Sequence, residues 1–146
     1  MAWTLPGAVG ASFIRDNSGK INTKPVLAVM GDGSFMMNVQ EIETAVRVGS
    51  RMVVLVWEDN AYGLIKWKME LHAGEHEYVD FHNPDVPKLA ESFGARGHAV
   101  KKPEDLYNML REALDQKNGV DVISCPVDYS ENMKLIEKLG DIDFSN

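Results

Sequence analysis

The stretch from Val26 to Asn38 constrains the fold most, because an apolar run ends there at Gly31-Asp32-Gly33 and a helical pattern begins. Every residue from 25 to 30 is apolar, which indicates a central strand of a parallel sheet, covered on both faces. The two glycines are expected to adopt backbone geometry that other residues resist, and to leave room for a ligand beside the main chain. The sequence therefore predicts a strand, a tight turn and a helix.

Asp32 gives this turn a possible chemical role, since carboxylate oxygens are ligands that Mg²⁺ or Ca²⁺ takes. The amide groups of Gly33, Ser34 and Phe35 would open the following helix, where unpaired N–H groups favour an anion such as phosphate. Together they suggest a phosphate bridged by a metal ion. A plain strand-to-helix turn explains the tripeptide equally well, so the motif alone does not decide.

A second cluster of oxygen ligands follows the next buried strand, predicted over Met52 to Trp57. The segment from Glu58 to Gly63 contains two acids, an amide and a glycine. In open α/β sheets, ligands bind at the carboxyl ends of the strands. We therefore expect the two turns to contribute to one site.

The rest of the chain also alternates between strand and helix patterns. Helices are predicted over about 4–16, 34–48, 84–93, 103–114 and 132–139, and strands over 26–30, 97–100 and 120–127. Thr4 and Asn83 are the expected caps of the first and third helices. Residues 64–71 are compatible with a helix, and 72–77 read as a polar surface loop. The fold class predicted is α/β, a parallel sheet with helices on both faces, in one domain.

Composition excludes several functions. There are 15 basic and 22 acidic side chains and no long basic run, which disfavours nucleic-acid binding. The apolar runs are too short to span a bilayer, so no membrane partner is expected. Cys125 is the single cysteine and lies in an apolar run, which indicates a buried thiol in a reducing compartment. We expect a cytoplasmic protein, or a plastid one if the source is a plant.

The two turns together resemble a known signature. Gly31-Asp32-Gly33, followed after 24 residues by Glu58-Asp59-Asn60, is similar to the thiamine diphosphate motif, a Gly-Asp-Gly loop with a later Asn-Asn or Asp-Asn pair. The whole chain resembles the C-terminal, diphosphate-binding domain of the acetolactate synthase family. The supporting stretches are Met1 to Ala8, Gly33 to Asn38 with Gln40-Glu41, Asp59 to Gly63, and Cys125 to Asn132.

This resemblance implies thiamine diphosphate and Mg²⁺ as cofactors. It implies that Asp32 and Asp59 bind the metal through their side chains and Ala61 through its carbonyl, and that Met1 props the cofactor into a bent shape. Glu58 stands where Asn is more usual, and no catalytic residue is assigned. The implied cofactor-binding residues are Met1, Gly31, Asp32, Gly33, Ser34, Asp59, Ala61, Tyr62 and Gly63.

The implied reaction is decarboxylation of pyruvate and its condensation with a second 2-oxo acid. In this family a glutamate on a separate N-terminal domain activates the cofactor. We therefore expect residues 1–146 to be a C-terminal domain without its upstream part and without that pyrimidine-binding domain. Little activity alone is expected, with the pyrimidine-binding domain of the same or another subunit as partner. Apolar surface near residues 1–13 and around Trp67 predicts a homo-oligomer.

Other interpretations stay open at this point. The chain is compatible with another thiamine diphosphate-dependent decarboxylase, or with a non-catalytic assembly module. A nicotinamide-binding domain is disfavoured, since Met36 occupies the last glycine position of that fingerprint. Three histidines, at 72, 76 and 82, are expected to be solvated rather than to bind zinc. Trp57 is expected in the core, and Trp67 is a candidate for the mouth of the site.

Overall fold

A computed structural model describes residues 2–14, 24–132 and 134. Met1 lies outside them, and so does most of the helix predicted over 132–139. The elements are α1 (Thr4–Ala11), β1 (Val26–Gly31), α2 (Asp32–Met37), α3 (Glu41–Arg47), β2 (Met52–Glu58), α4 (Gly63–Ala73), α5 (Val86–Ser92), β3 (Arg96–Ala99), α6 (Asp105–Asp115) and β4 (Val120–Pro126).

The four strands form one parallel sheet in the spatial order β1-β2-β4-β3. Gly31 is paired with Trp57, and Trp57 with Cys125, so the carboxyl ends of β1, β2 and β4 lie side by side. Each strand agrees with its predicted bounds to within one residue. The predicted α/β class with a parallel sheet is confirmed.

Helices lie on both faces of the sheet, as the sequence predicts. The prediction that β1 is a central strand covered on both faces is wrong, because β1 lies at the edge of the sheet, where Leu27 and Val29 are 42% and 43% exposed. On one face, helices α1, α3 and α5 pack on alternate residues of the strands; on the other face, α6 packs on the residues between. Val54 and Val122 belong to the first cluster, whereas Val53 and Ile123 belong to the second. Each such side chain contributes about 1.5–3 kcal/mol when fully buried, so the two layers hold the strand ends rigidly.

The helix predicted over 34–48 is two helices, α2 and α3, separated by residues 38–40. Asn38 leaves the helical region with φ −139°, and its side-chain amide donates to the carbonyl of Ala2. Asn has a low helix propensity, and this contact with the segment before α1 favours a non-helical backbone at residue 38. Gly49, with φ +72°, follows the end of α3 as predicted.

The predicted Thr4 cap is wrong, because Thr4 is the first helical residue of α1 and follows the N-cap residue Trp3. The predicted cap of α5 is also wrong. Asp85 caps this helix, its Oδ1 accepting from the Lys88 backbone N–H at 3.1 Å. Asn83 lies two residues before this cap, and its side chain makes contacts elsewhere. Gly97 of β3 lies directly against the main chain of Pro87, where a Cβ would collide with the carbonyl oxygen. The start of α5 is therefore seated on β3 without side chains between them.

Helix α4 differs from the others because none of its residues is buried. It runs through His72 and ends at Ala73, with Gly74 as its C-cap, beyond the point where the sequence indicated a loop. Ion pairs connect it to the segment that follows: Lys66 Nζ lies 2.8 Å from Asp80 Oδ1, and His76 bridges Glu70 and Asp80. His76 is thus paired rather than simply solvated. Among the described residues, no helix has both the length and the apolar character needed to cross a membrane.

Candidate active site

Asp32 is the buried centre of the site, with only 1% of its surface exposed. It stands where β1 passes into α2, at the carboxyl edge of the sheet. Its Oδ1 accepts from the Gly33 N–H at 2.7 Å. Its Oδ2 accepts from the backbone N–H groups of Asn60 at 2.8 Å and Asp59 at 3.2 Å, and from Asn83 Nδ2 at 2.6 Å. These donors hold the carboxylate in one orientation.

Asp59 follows β2 and brings a second carboxylate to the same place. Burial raises its pKa, and the charge of Asp32 raises the pKa further, while the backbone N–H of Ala61 opposes the shift. Two neighbouring carboxylates create a negative potential, which a divalent cation would compensate.

The donor set suits a cation held together with a phosphate. Among the described residues, no group of three or more His, Cys, Asp or Glu side chains could hold a metal ion. Mg²⁺ is commonly bound through one or two carboxylates and the oxygens of a phosphorylated ligand, with waters completing the shell. Asp32 and Asp59 therefore fit a metal ion that arrives with a diphosphate better than they fit a metal site formed by protein alone.

The turn from β2 to α4 is held by the returning chain. Asn60 has the left-handed φ of 56°, and its carbonyl accepts from the Phe81 N–H at 2.9 Å. The Tyr62 N–H donates to Val79 at 2.9 Å, and Ala61 pairs with Asp80 in an antiparallel bridge. The main chain around Asp59 and Ala61 is consequently fixed from both sides.

Space, rather than backbone geometry, explains the second glycine of the motif. Neither Gly31, with φ −77°, nor Gly33 has a positive φ, so the expectation of unusual backbone geometry is wrong. A Cβ on Gly33 would lie 2.8 Å from the Tyr62 ring, which packs on Phe81 with a centroid distance of 5.1 Å. A Cβ on Gly31 would meet nothing within 4 Å.

A cavity of about 760 Å³ opens above these strand ends, a size common for small-molecule sites. It brings together the eight predicted cofactor residues that the structure describes: Gly31, Asp32, Gly33, Ser34, Asp59, Ala61, Tyr62 and Gly63. Met1, the ninth, lies outside the described residues. Trp67 lines the cavity, and Trp57 does so while also packing against the α6 face of the core.

Glu58, whose role the sequence leaves open, does not line this cavity. Its side chain is hydrogen-bonded to Ser124 on the neighbouring strand. Burial raises the pKa of Glu58, the Ser124 hydrogen bond opposes this, and the charges of Asp32 and Asp85 add to the increase.

Sequence reasoning missed two contributors to the site. Asn83 was interpreted as a helix cap, because an Asn before a Pro and a helical pattern is a common cap signal. Tyr129 lies in the stretch that carried the family resemblance, and it lines the cavity. Burial raises its pKa, as do the charges of Asp59 and Asp32.

Residues 1–125 match the model of the family described as "Thiamine pyrophosphate enzyme, C-terminal TPP binding domain". The chain belongs to this family. Among curated relatives, acetolactate synthase of Bacillus subtilis (strain 168) is 38% identical over 131 residues, which are 90% of this chain and 22% of that protein. The catabolic acetolactate synthase of Raoultella terrigena is 34% identical over 139 residues, 95% of this chain and 24% of the relative.

The fold of this thiamine pyrophosphate-binding domain is also found in a solved structure. Benzoylformate decarboxylase from Polynucleobacter necessarius superposes with a TM-score of 0.77 at 31% identity, covering 86% of this chain and 23% of that one. The chain thus spans about a quarter of the length of these relatives.

Proposed function

We propose that this domain binds thiamine diphosphate through Mg²⁺, as part of an acetolactate synthase-type carboligase. The observation that carries the proposal is the pair of carboxylates, Asp32 and Asp59, at the ends of two adjacent parallel strands and open to one cavity. Asp32, Asp59 and the carbonyl of Ala61 would hold the metal. Gly33 and Ser34 would contact the diphosphate.

Bound thiamine diphosphate supplies a thiazolium carbon that makes and breaks bonds beside a carbonyl group. In the proposed site, the carboxylates of Asp32 and Asp59 would bind the metal ion, and the metal ion would anchor the diphosphate end of the cofactor. Trp57 and Trp67 provide apolar walls that exclude water from the cavity. No residue of this chain is assigned a proton-transfer role.

Pyruvate and a second 2-oxo acid are the proposed substrates, supported by the acetolactate synthases among the relatives, up to 38% identical over most of this chain. The similarity to a benzoylformate decarboxylase supports a second candidate, another thiamine diphosphate-dependent 2-oxo acid decarboxylase. A panel of 2-oxo acids, assayed on the complete enzyme, separates the two. The first proposal expects acetolactate from pyruvate, and the second expects an aldehyde from a bulkier 2-oxo acid.

A pyrimidine-binding domain, on the same or another subunit, is the proposed partner, and oligomeric assembly is proposed with it. Because the relatives are about four times as long as this chain, we propose little turnover by residues 1–146 alone. Acetolactate production by the purified chain at a normal enzymatic rate, without added subunits, would contradict this.

Calorimetry tests cofactor binding directly. Titration of thiamine diphosphate into the protein, assembled with a pyrimidine-binding domain, should give heat of binding with Mg²⁺ and little without it. Asp32→Ala should abolish that signal, whereas Asp105→Ala, which removes an exposed carboxylate on α6, should not. Absence of binding by the parent protein would instead favour a non-catalytic assembly module.

A further inference from the structure

We propose that Asn83 is a positioning residue of the cation site, which occupies one oxygen of Asp32 so that the other is directed to the metal. This inference rests on the proposed function, since it assumes that Asp32 is a metal ligand. Asn83 does not line the cavity, so its effect would pass through Asp32.

The two oxygens of Asp32 have unequal surroundings. Oδ2 accepts three hydrogen bonds, from the Asn60 and Asp59 N–H groups and from Asn83 Nδ2, which is the shortest at 2.6 Å. Oδ1 accepts one, from the N–H of Gly33. A carboxylate offers about two lone-pair sites on each oxygen, so Oδ2 is saturated and Oδ1 keeps a free site. The geometry therefore favours metal binding through Oδ1.

The side-chain amide of Asn83 is oriented so that Nδ2 donates to Asp32 and Asn60. Its own Oδ1 is buried and has no hydrogen-bond partner among the described residues. The reverse orientation would place two acceptor oxygens 2.6 Å apart, which is repulsive. Leaving a buried acceptor unpaired is costly, so the hydrogen bonds donated by Nδ2 are what this position supplies.

Asn83 also holds the turn that presents the second carboxylate. Its backbone N–H and Nδ2 both donate to Asn60 Oδ1, at 3.3 and 3.2 Å. Asn60 has a left-handed backbone conformation that an L-residue rarely adopts, and it immediately follows Asp59. The same amide thus fixes Asp32 directly and the Asp59 turn through Asn60.

The test uses Mn²⁺ as the probe for the metal and the nearly isosteric variant Asn83→Leu, which keeps the volume and lacks the donor. Mn²⁺ affinity is measured by electron paramagnetic resonance, with saturating thiamine diphosphate, on the full chain assembled with a pyrimidine-binding domain. The chain of 16.3 kDa also permits NMR, in which Mn²⁺ broadens the amide signals near the cation even when binding is weak. Asn108→Leu, on the exposed side of α6, is the matched control.

Loss of a hydrogen-bond partner behind a metal ligand typically weakens metal binding by 10–100-fold, so the dissociation constant for Mn²⁺ should rise about tenfold or more in Asn83→Leu. Asn108→Leu should keep the parent value. Parent-like Mn²⁺ affinity in a folded Asn83→Leu, even with a lowered melting temperature, overturns the inference and leaves the proposed function standing.

No Mn²⁺ binding by the parent overturns both the inference and the proposed function, which separates the two failures. If Asn83→Leu does not fold, Asn83→Ala is measured in its place under the same criterion. Failure of both variants to fold makes Asn83 a residue required for folding and overturns the positioning role.

Discussion

The two glycines on either side of Asp32 lie in different surroundings, and a pair of matched substitutions distinguishes their contributions to stability. Gly33→Ala should destabilise the fold by about 1–3 kcal/mol, because its Cβ would lie 2.8 Å from the Tyr62 ring. Gly31→Ala should change stability by about 0.5 kcal/mol or less, since its Cβ meets nothing within 4 Å. Urea unfolding measures both. Equal losses would contradict the steric explanation.

The meeting of Asp32 and Asp59 at one edge of the sheet was predictable, because each follows a buried strand and the carboxyl ends of parallel strands lie together. Asn83 was not, since its bond to Asp32 joins residues 51 positions apart. A local pattern carries no information about which distant amide will meet a buried carboxylate. For Asn83, the local cap signal pointed to another role, and Asp85 fulfils that role instead.

Among the elements, α5 depends on this cap. Asp85→Ala should destabilise the protein by about 1 kcal/mol, because the Lys88 N–H loses its acceptor. Asp85→Asn should retain most of the stability, since an Asn side chain also caps well. Thermal unfolding of both variants is the measurement. Asp85 Oδ2 also lies 2.7 Å from Lys88 Nζ, and a loss in Asp85→Asn as large as that in Asp85→Ala would show that this ion pair, not the cap, matters.

Helix α4 should be anchored less firmly in acid. Its link to Asp80 includes hydrogen bonds from Lys66 and His76, which lower the pKa of Asp80. A carboxylate with a lowered pKa stabilises the fold above its ordinary pKa, and that contribution disappears as pH falls through the lowered value. Amide signals of α4 in NMR spectra should therefore show increased exchange as the pH falls below about 4.

Asp80→Asn tests whether Asp80 is the group whose protonation loosens α4, because this substitution removes the titrating carboxylate. It should give increased exchange in α4 already at neutral pH and a weaker acid response. Asp115→Asn, an exposed change in α6, should behave like the parent. An unchanged acid response in Asp80→Asn would place the titrating group elsewhere.

Element boundaries were predictable where apolar periodicity was strong and failed where a side chain redirected the backbone. Strands β1, β2 and β4 were located because their continuous apolar runs are bounded by polar turns, whereas β3, which contains Arg96 and His98, was located from its short extended pattern between two helices. The interruption between α2 and α3 was not, since it depends on Asn38 reaching Ala2. That contact exists only once the first helix is in place.

At the scale of the whole molecule, exposed apolar side chains predict self-association. Trp3 is 77% exposed, Ile14 61% and Leu64 63%. Sedimentation velocity should show a concentration-dependent increase in mass, which Leu64→Glu reduces. Tyr107→Glu, which makes the same charge change at a side chain of α6 that is 70% exposed, should leave association unchanged. A strict monomer at high concentration would contradict the prediction.

The order of the strands in the sheet was harder to predict from the sequence than their positions along the chain. Alternation of strands and helices predicts a parallel sheet, yet β4, the last strand, lies between β2 and β3. The three apolar strands β1, β2 and β4 are similar in character, so their sequences carry little information about which strands become neighbours. The pairing depends on where the connecting helices pack, which is a property of the assembled core.

The close seating of Pro87 against Gly97 has a consequence for how the domain tolerates change. Asn83 lies only four residues before Pro87, so an added methyl group at Gly97 would push the chain that carries the amide contacting Asp32. An edge strand with no residue in the cavity would then influence the proposed cation site. Homologous sequences with a residue other than glycine at position 97 should accordingly carry compensating changes at residues 83–87.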